Sequence, residues 1–160
     1  MIQFLGEYTC KIDAKGRLRL PAPLLKQLGD KAQDGFVLNR GFENCLVLYP
    51  RTAWDKHAKD IQNLNQYVKR NRIFIRRFFR GATELTLDSN SRLLFPRPLL
   101  DHASIDKELV LFAYFDKIEV WSKEAYEELL NEDSLDFDEL AEEVMGSLKR
   151  ENEDGGVELS

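Results

Sequence analysis

Sulfur and histidine are scarce in this sequence. Cys10 and Cys45 stand alone, with no Cys-x-x-Cys pair, and His57 and His102 are the two histidines. That spacing suggests neither a disulfide framework nor a zinc site, and a reducing cytoplasm is the expected compartment. Long apolar runs are missing too. Nothing in the sequence is long enough to cross a bilayer, and the N-terminus lacks the basic stretch and apolar core of a signal peptide, so a soluble, unexported protein is expected. There is no Gly-rich phosphate loop, nucleophile elbow or metal-spaced cluster, and both histidines lie in charged helical surroundings as surface residues. An enzyme is therefore not expected, and neither is a cofactor, a metal ion, a small-molecule substrate or a membrane partner.

Negative charge is scarce in one half only. Residues 1–80 carry 16 Lys/Arg against 7 Asp/Glu, a net of +9, whereas residues 81–160 carry 7 against 21, a net of −14. Residues 124–160 hold 14 of those acids against only Lys149 and Arg150. The overall −5 hides a basic front, a nearly neutral middle and an acidic tail. Such asymmetry points to a polyanion partner for the basic part. At 160 residues the chain has room for one domain, or for two small ones sharing a core.

What the chain does contain is a repeat. Asp13-Ala-Lys-Gly-Arg17-Leu-Arg-Leu-Pro21-Ala-Pro23-Leu-Leu25 returns without a gap as Asp88-Ser-Asn-Ser-Arg92-Leu-Leu-Phe-Pro96-Arg-Pro98-Leu-Leu100. The similarity continues downstream, where Val37 to Tyr49 aligns with Val110 to Trp121. A tandem duplication of one small module is the simplest account.

Each copy reads strand, tight loop, strand, Pro-started helix, hairpin. Tyr8, Cys10 and Ile12 alternate with Thr9 and Lys11, as in a half-buried strand over Glu7 to Ile12. Ala14-Lys15-Gly16 reads as a hairpin loop with Gly16 at a positive φ, and Arg17 to Leu20 as the return strand, leucines inward. Pro21 and Pro23 stop that strand and suit a first helical turn. A second hairpin is expected over Phe36–Asn39 and Cys45–Tyr49. Residues 51–80 read as two helical segments, the second dense in Lys69, Arg70, Arg72, Arg76, Arg77 and Arg80. Those charges fit either a solvated face or phosphate contacts. Residues 135–148 suggest a short amphipathic piece, and 151–160 a disordered end.

In the repeat, Asp13 and Asp88 read as turn-building acceptors for backbone N–H groups. Lys15, Arg17 and Arg19 lie two apart and fall on one face of an extended ribbon, a shape the DNA major groove admits. The second copy has no lysine in its loop and Leu94 in place of Arg19. Of its basic residues Arg92 remains, with Arg97 further along. The first copy is expected to supply most of the electrostatic attraction, the second being a structural twin or a base reader through Ser and Asn.

Two Asp-x-x-x-Arg motifs, each followed by Leu and Pro and separated by a helical insert ending in Arg80-Gly-Ala, resemble the MraZ family. The single module is similar to the SpoVT–AbrB, or swapped-hairpin, DNA-binding domain. Asp13/Arg17 and Asp88/Arg92 match the motif residue by residue. The resemblance implies an α+β fold: a double-split (swapped-hairpin) β-barrel formed as an intramolecular pseudo-dimer of two AbrB-like modules, with flanking helices. The modules would span 7–54 and 83–126, with a helical linker at 55–82 and an acidic helical or disordered tail at 127–160, outside the resemblance. It further implies a homo-oligomeric ring, double-stranded DNA with promoter direct repeats as partner, regulation of the division and cell-wall gene cluster, and a cytoplasmic, nucleoid-associated location. The expected DNA contacts are Lys15, Arg17, Arg19 and Arg92, with Asp13, Gly16, Pro21, Asp88 and Pro96 structural. The competing expectation is an oligomeric interaction or scaffold protein whose DNA binding is incidental.

Overall fold

The computed structural model describes residues 2–132 and 136–159. It is a mixed α+β protein of eight strands and six helices among those residues. In chain order the elements are β1 (Phe4–Lys11), β2 (Arg17–Arg19), α1 (Ala22–Leu28), a 3₁₀ turn (Gly29–Asp34), β3 (Phe36–Arg40), β4 (Leu46–Pro50), α2 (Arg51–Gln62) and α3 (Lys69–Phe79). The second repeat follows with β5 (Thr83–Leu85), β6 (Arg92–Leu94), α4 (Arg97–His102), β7 (Glu108–Phe115), β8 (Lys117–Ser122) and α5 (Lys123–Asn131), and α6 (Phe137–Leu159) follows those.

Six strands form one antiparallel sheet in the order β1-β7-β8-β4-β3-β5, and β2 pairs with β6 in a separate two-stranded ladder. The order is a palindrome of the repeat. Each copy's hairpin takes the other copy's first strand on its outer edge: β1 runs along β7 from Phe4↔Phe115 to Lys11↔Glu108, and β5 along β3 at Phe36↔Leu85. The two hairpins meet at β4–β8, with Leu46 opposite Val120.

This corrects the local hairpin expected at residues 7–20. Between β1 and the return strand only the single bridge Ile12↔Leu18 survives. A three-residue strand offers too few ladder bonds to hold a hairpin alone. Pairing it with its twin buries Leu18 and Leu93 completely and places them at the centre of the core.

That core lies between the inner sheet face and the β2–β6 ladder. Leu38, Leu46, Leu48, Leu109, Leu111, Ile118 and Val120 come from the sheet, Leu20 and Phe95 follow the ladder strands, and Leu24, Leu28, Leu99 and Leu100 come from α1 and α4. Both helices start alike: Pro21 and Pro96 sit at the N-cap with extended backbone, and a second proline occupies the first turn, where its missing N–H costs nothing. On the outer face Val37, Val47, Tyr49 and Trp54 make a smaller cluster, with Trp54 stacked on Phe78 at 5.6 Å between centroids.

Contacts divide the chain into one unit through Tyr126 and a second from Glu127 onward. In the second, α6 runs on through 151–159, where a disordered end was expected. Ser160 lies outside the described residues.

Candidate nucleic-acid interface

The two Asp turns are built identically. In the first, Asp13 Oδ1 accepts the backbone N–H of Lys15 at 3.0 Å and of Arg17 at 2.9 Å, while Oδ2 accepts Arg17 Nε at 2.7 Å. In the second, Asp88 Oδ1 accepts from Asn90 at 2.8 Å and Arg92 at 2.9 Å, and Oδ2 accepts Arg92 Nε at 2.9 Å. The backbone N–H bonds of Arg17 and Arg92, foremost, hold both carboxyls below the ordinary carboxylate value. Each Asp is thus consumed inside its turn. Each Arg is tied down through Nε, leaving its terminal amino groups for another acceptor.

The turns need a positive φ at their last position, and the copies meet that need differently. Gly16 has φ +88°, and a Cβ there would stand 2.7 Å from the Phe95 carbonyl oxygen. Ser91, its counterpart, takes φ +59° with a side chain. The close approach at Gly16 is the strand crossing itself: Phe95 N–H donates to Gly16 O at 2.8 Å, and Leu20 N–H donates to Ser91 O at 3.1 Å. Each turn is therefore bolted to the other copy's strand.

The ladder register decides what faces outward. Arg17 lies opposite Leu94, Leu18 opposite Leu93, and Arg19 opposite Arg92. With the leucine pair inward, the outer face presents Arg17, Arg19, Arg92 and Leu94. Lys15 stands exposed at the tip of the first turn. The four expected cations therefore belong to one surface made by both copies, rather than to a first ridge with a distant twin. Arg19 and Lys15 have no ion-pair partner among the described residues. Like charges directly opposed across a ladder are unfavourable, so Arg19 facing Arg92 is a local cost that a bound anion would relieve.

Three cations near this surface escaped the sequence reading or stood at its margin. Arg97 Nη2 reaches 3.5 Å from Ala14 O, and the bond from Ile12 N–H to Lys107 O, 2.8 Å, brings Lys107 beside Lys11. Only the Asp13 turn's pairing across repeats puts these together, so no local signal marks them. The basic residues of α3 are exposed or half-exposed, and Arg72 Nη1 is bound to Gln66 O at 2.9 Å. Of the histidines, His57 Nε2 lies 3.0 Å from Asp116 Oδ2, and His102 is half-buried on α4.

No group of metal-binding side chains occurs among the described residues, and none of their helices is long and apolar enough to cross a membrane. Burial pushes the Cys45 thiol up to about 12, which leaves it protonated and unreactive at neutral pH.

A tandem repeat that exchanges its first strands and raises a cationic two-stranded ribbon defines this architecture. The model of the MraZ protein family, described as antitoxin-like, matches the chain twice, over residues 3–77 and 78–147. The chain belongs to the MraZ family. It is 48% identical over 148 residues to the transcriptional regulator MraZ of Christiangramia forsetii, covering 92% of this chain and 96% of that one. Identity to the protein of the same name from Flavobacterium psychrophilum is 46%, with 92% and 95% covered, and to that from Moorella thermoacetica 39%, with 89% and 96% covered.

Proposed function

We propose that this protein is a sequence-specific DNA-binding transcriptional regulator of the MraZ type, and that the β2–β6 ribbon is its DNA-reading element. The observation that carries this is the Arg19↔Arg92 register, which gathers Arg17, Arg19 and Arg92 on one face with Lys15 at its end. The name borne by its relatives supports the regulatory role. The two modules, over 7–54 and 83–126, form a swapped-hairpin barrel as an intramolecular pseudo-dimer, a proposal supported by the exchanged β1 and β5 strands. Asp13, Gly16, Pro21, Asp88 and Pro96 hold the ribbon's shape, while Lys15, Arg17, Arg19 and Arg92 meet phosphates and base edges. The protein acts in the cytoplasm, on nucleoid DNA.

One ribbon neutralises few phosphates, so a single chain binds weakly and with strong salt dependence, about −0.9 in log K against log salt per contact. A ring of copies makes later contacts intramolecular and adds on the order of 10²–10⁴ in avidity. Copies related head to tail present their ribbons in one direction, which suits direct repeats recurring at about 10 bp, roughly one helical turn, in the promoter of the division and cell-wall gene cluster.

A gel-shift titration of Arg17→Ala against that promoter duplex tests the assignment. Affinity and salt slope should both fall; if neither changes, the ribbon is not the site. The second reading, an oligomeric interaction protein, draws support from the exposed stripe of Phe137, Val144, Met145 and Leu148 on α6. Truncation after Arg150 separates the two, since the DNA reading predicts retained or tighter binding once the terminal acids are gone.

A further inference from the structure

The ribbon has a near two-fold symmetry that its charges break. Around the Asp13 turn stand Lys11, Lys15, Arg97 and Lys107. The corresponding positions around the Asp88 turn hold Thr86, Asn90, Ala22 and Asp34. Four cations at one end are matched by three neutral residues and an acid at the other. Three of those cations come from separate places in the chain, Lys11 on β1, Arg97 on α4 and Lys107 in the segment before β7, and they line one cleft of about 480 Å³. None of the three has an ion-pair partner among the described residues. Of the two acids in the cleft wall, Asp13 is engaged by Arg17, which leaves Asp106 as the one opposing charge.

We propose that this cleft holds a backbone phosphate of the duplex, beyond those the ribbon face engages, and that its absence at the Asp88 end sets the chain in one direction along the DNA. The inference rests on the DNA-binding reading above and adds direction to it. A symmetric ribbon would dock equally well either way round. A lone anchoring phosphate at one end makes the two orientations unequal, as copies reading direct repeats require. Lysine supplies a mobile point charge and arginine a fork that accepts two phosphate oxygens, so the trio forms a reasonable cradle for one phosphate.

The test is a salt series of binding titrations on a promoter duplex of the division and cell-wall cluster, with the full-length Lys11→Gln/Lys107→Gln double variant beside the wild type. Both side chains are exposed, so the variant should fold. The salt slope should drop by about 0.9, the loss of one phosphate contact. Single methylphosphonate substitutions, which remove one phosphate charge at a time, should weaken wild-type binding on one flank of each repeat only. On that flank the double variant should be indifferent. Adding the Thr86→Lys and Asp34→Lys changes should make the opposite flank sensitive as well. An unchanged slope in the double variant, or equal sensitivity of both flanks in the wild type, overturns the proposal while Arg17→Ala still loses binding. If Arg17→Ala binds normally, the DNA-binding reading has failed first and takes this one with it.

Discussion

At the scale of single residues, the two aspartates build their turns and hold the half-buried Arg17 and Arg92, while Lys15 and Arg19 carry the exposed charge. Because the folded protein holds the Asp13 and Asp88 carboxyls below their ordinary value, the folded state binds fewer protons than the unfolded one in the acid range. The stability they contribute is therefore complete at neutral pH and fades as pH falls through and below the usual carboxylate range. Asp88→Asn, which keeps an acceptor for the Asn90 and Arg92 N–H groups, should lower the thermal midpoint less than Asp88→Ala. It should also flatten the acid limb of a stability-against-pH curve measured by denaturant titration. Gly16→Ala meets both a positive φ and the Phe95 carbonyl, so it should cost about 2 kcal/mol or more of stability by the same measurement. The Asp–Arg spacing and Gly16 were legible in the sequence, since turn chemistry is local. Ser91 was not, because serine is not a residue type that announces a left-handed turn position, although the Asp88 turn holds it at φ +59°.

At the scale of elements, short-range pattern specified most segments, the helix over 151–159 excepted, and left open whom each strand pairs with. Alternation at Tyr8, Cys10 and Ile12, the double prolines of α1 and α4, and the break between α2 and α3 all show in residue periodicity. The partner of β2 does not, because a three-residue strand such as Arg17–Arg19 has no register of its own and pairs by tertiary packing. The same non-local pairing assembles Arg19 with Arg92 and Lys11 with Lys107, which is why the site was legible only as two separate halves. Since Leu18 and Leu93 are fully buried where the copies cross, Leu93→Ala should destabilise by about 3 kcal/mol in denaturant unfolding. Leu94→Arg, on the exposed side, sets a second cation directly opposite Arg17 and should cost a smaller amount, up to about 1 kcal/mol.

At the scale of the whole molecule, the palindromic strand order turns a tandem repeat into one core shared by both copies, with a single cationic surface on the β2–β6 ladder. Function then turns on whether this surface, multiplied by assembly, meets DNA. Arg19 is the sharpest probe, because it forms no ion pair among the described residues, and its removal relieves like-charge opposition with Arg92 instead of breaking a turn. Fluorescence anisotropy of a labelled promoter duplex, titrated with wild type and Arg19→Ala over a range of salt concentrations, is the decisive measurement. The account predicts weaker binding by the variant, a salt slope smaller by about one phosphate contact, and a thermal midpoint equal to or above that of the wild type. Identical affinity and slope for the two proteins would contradict it.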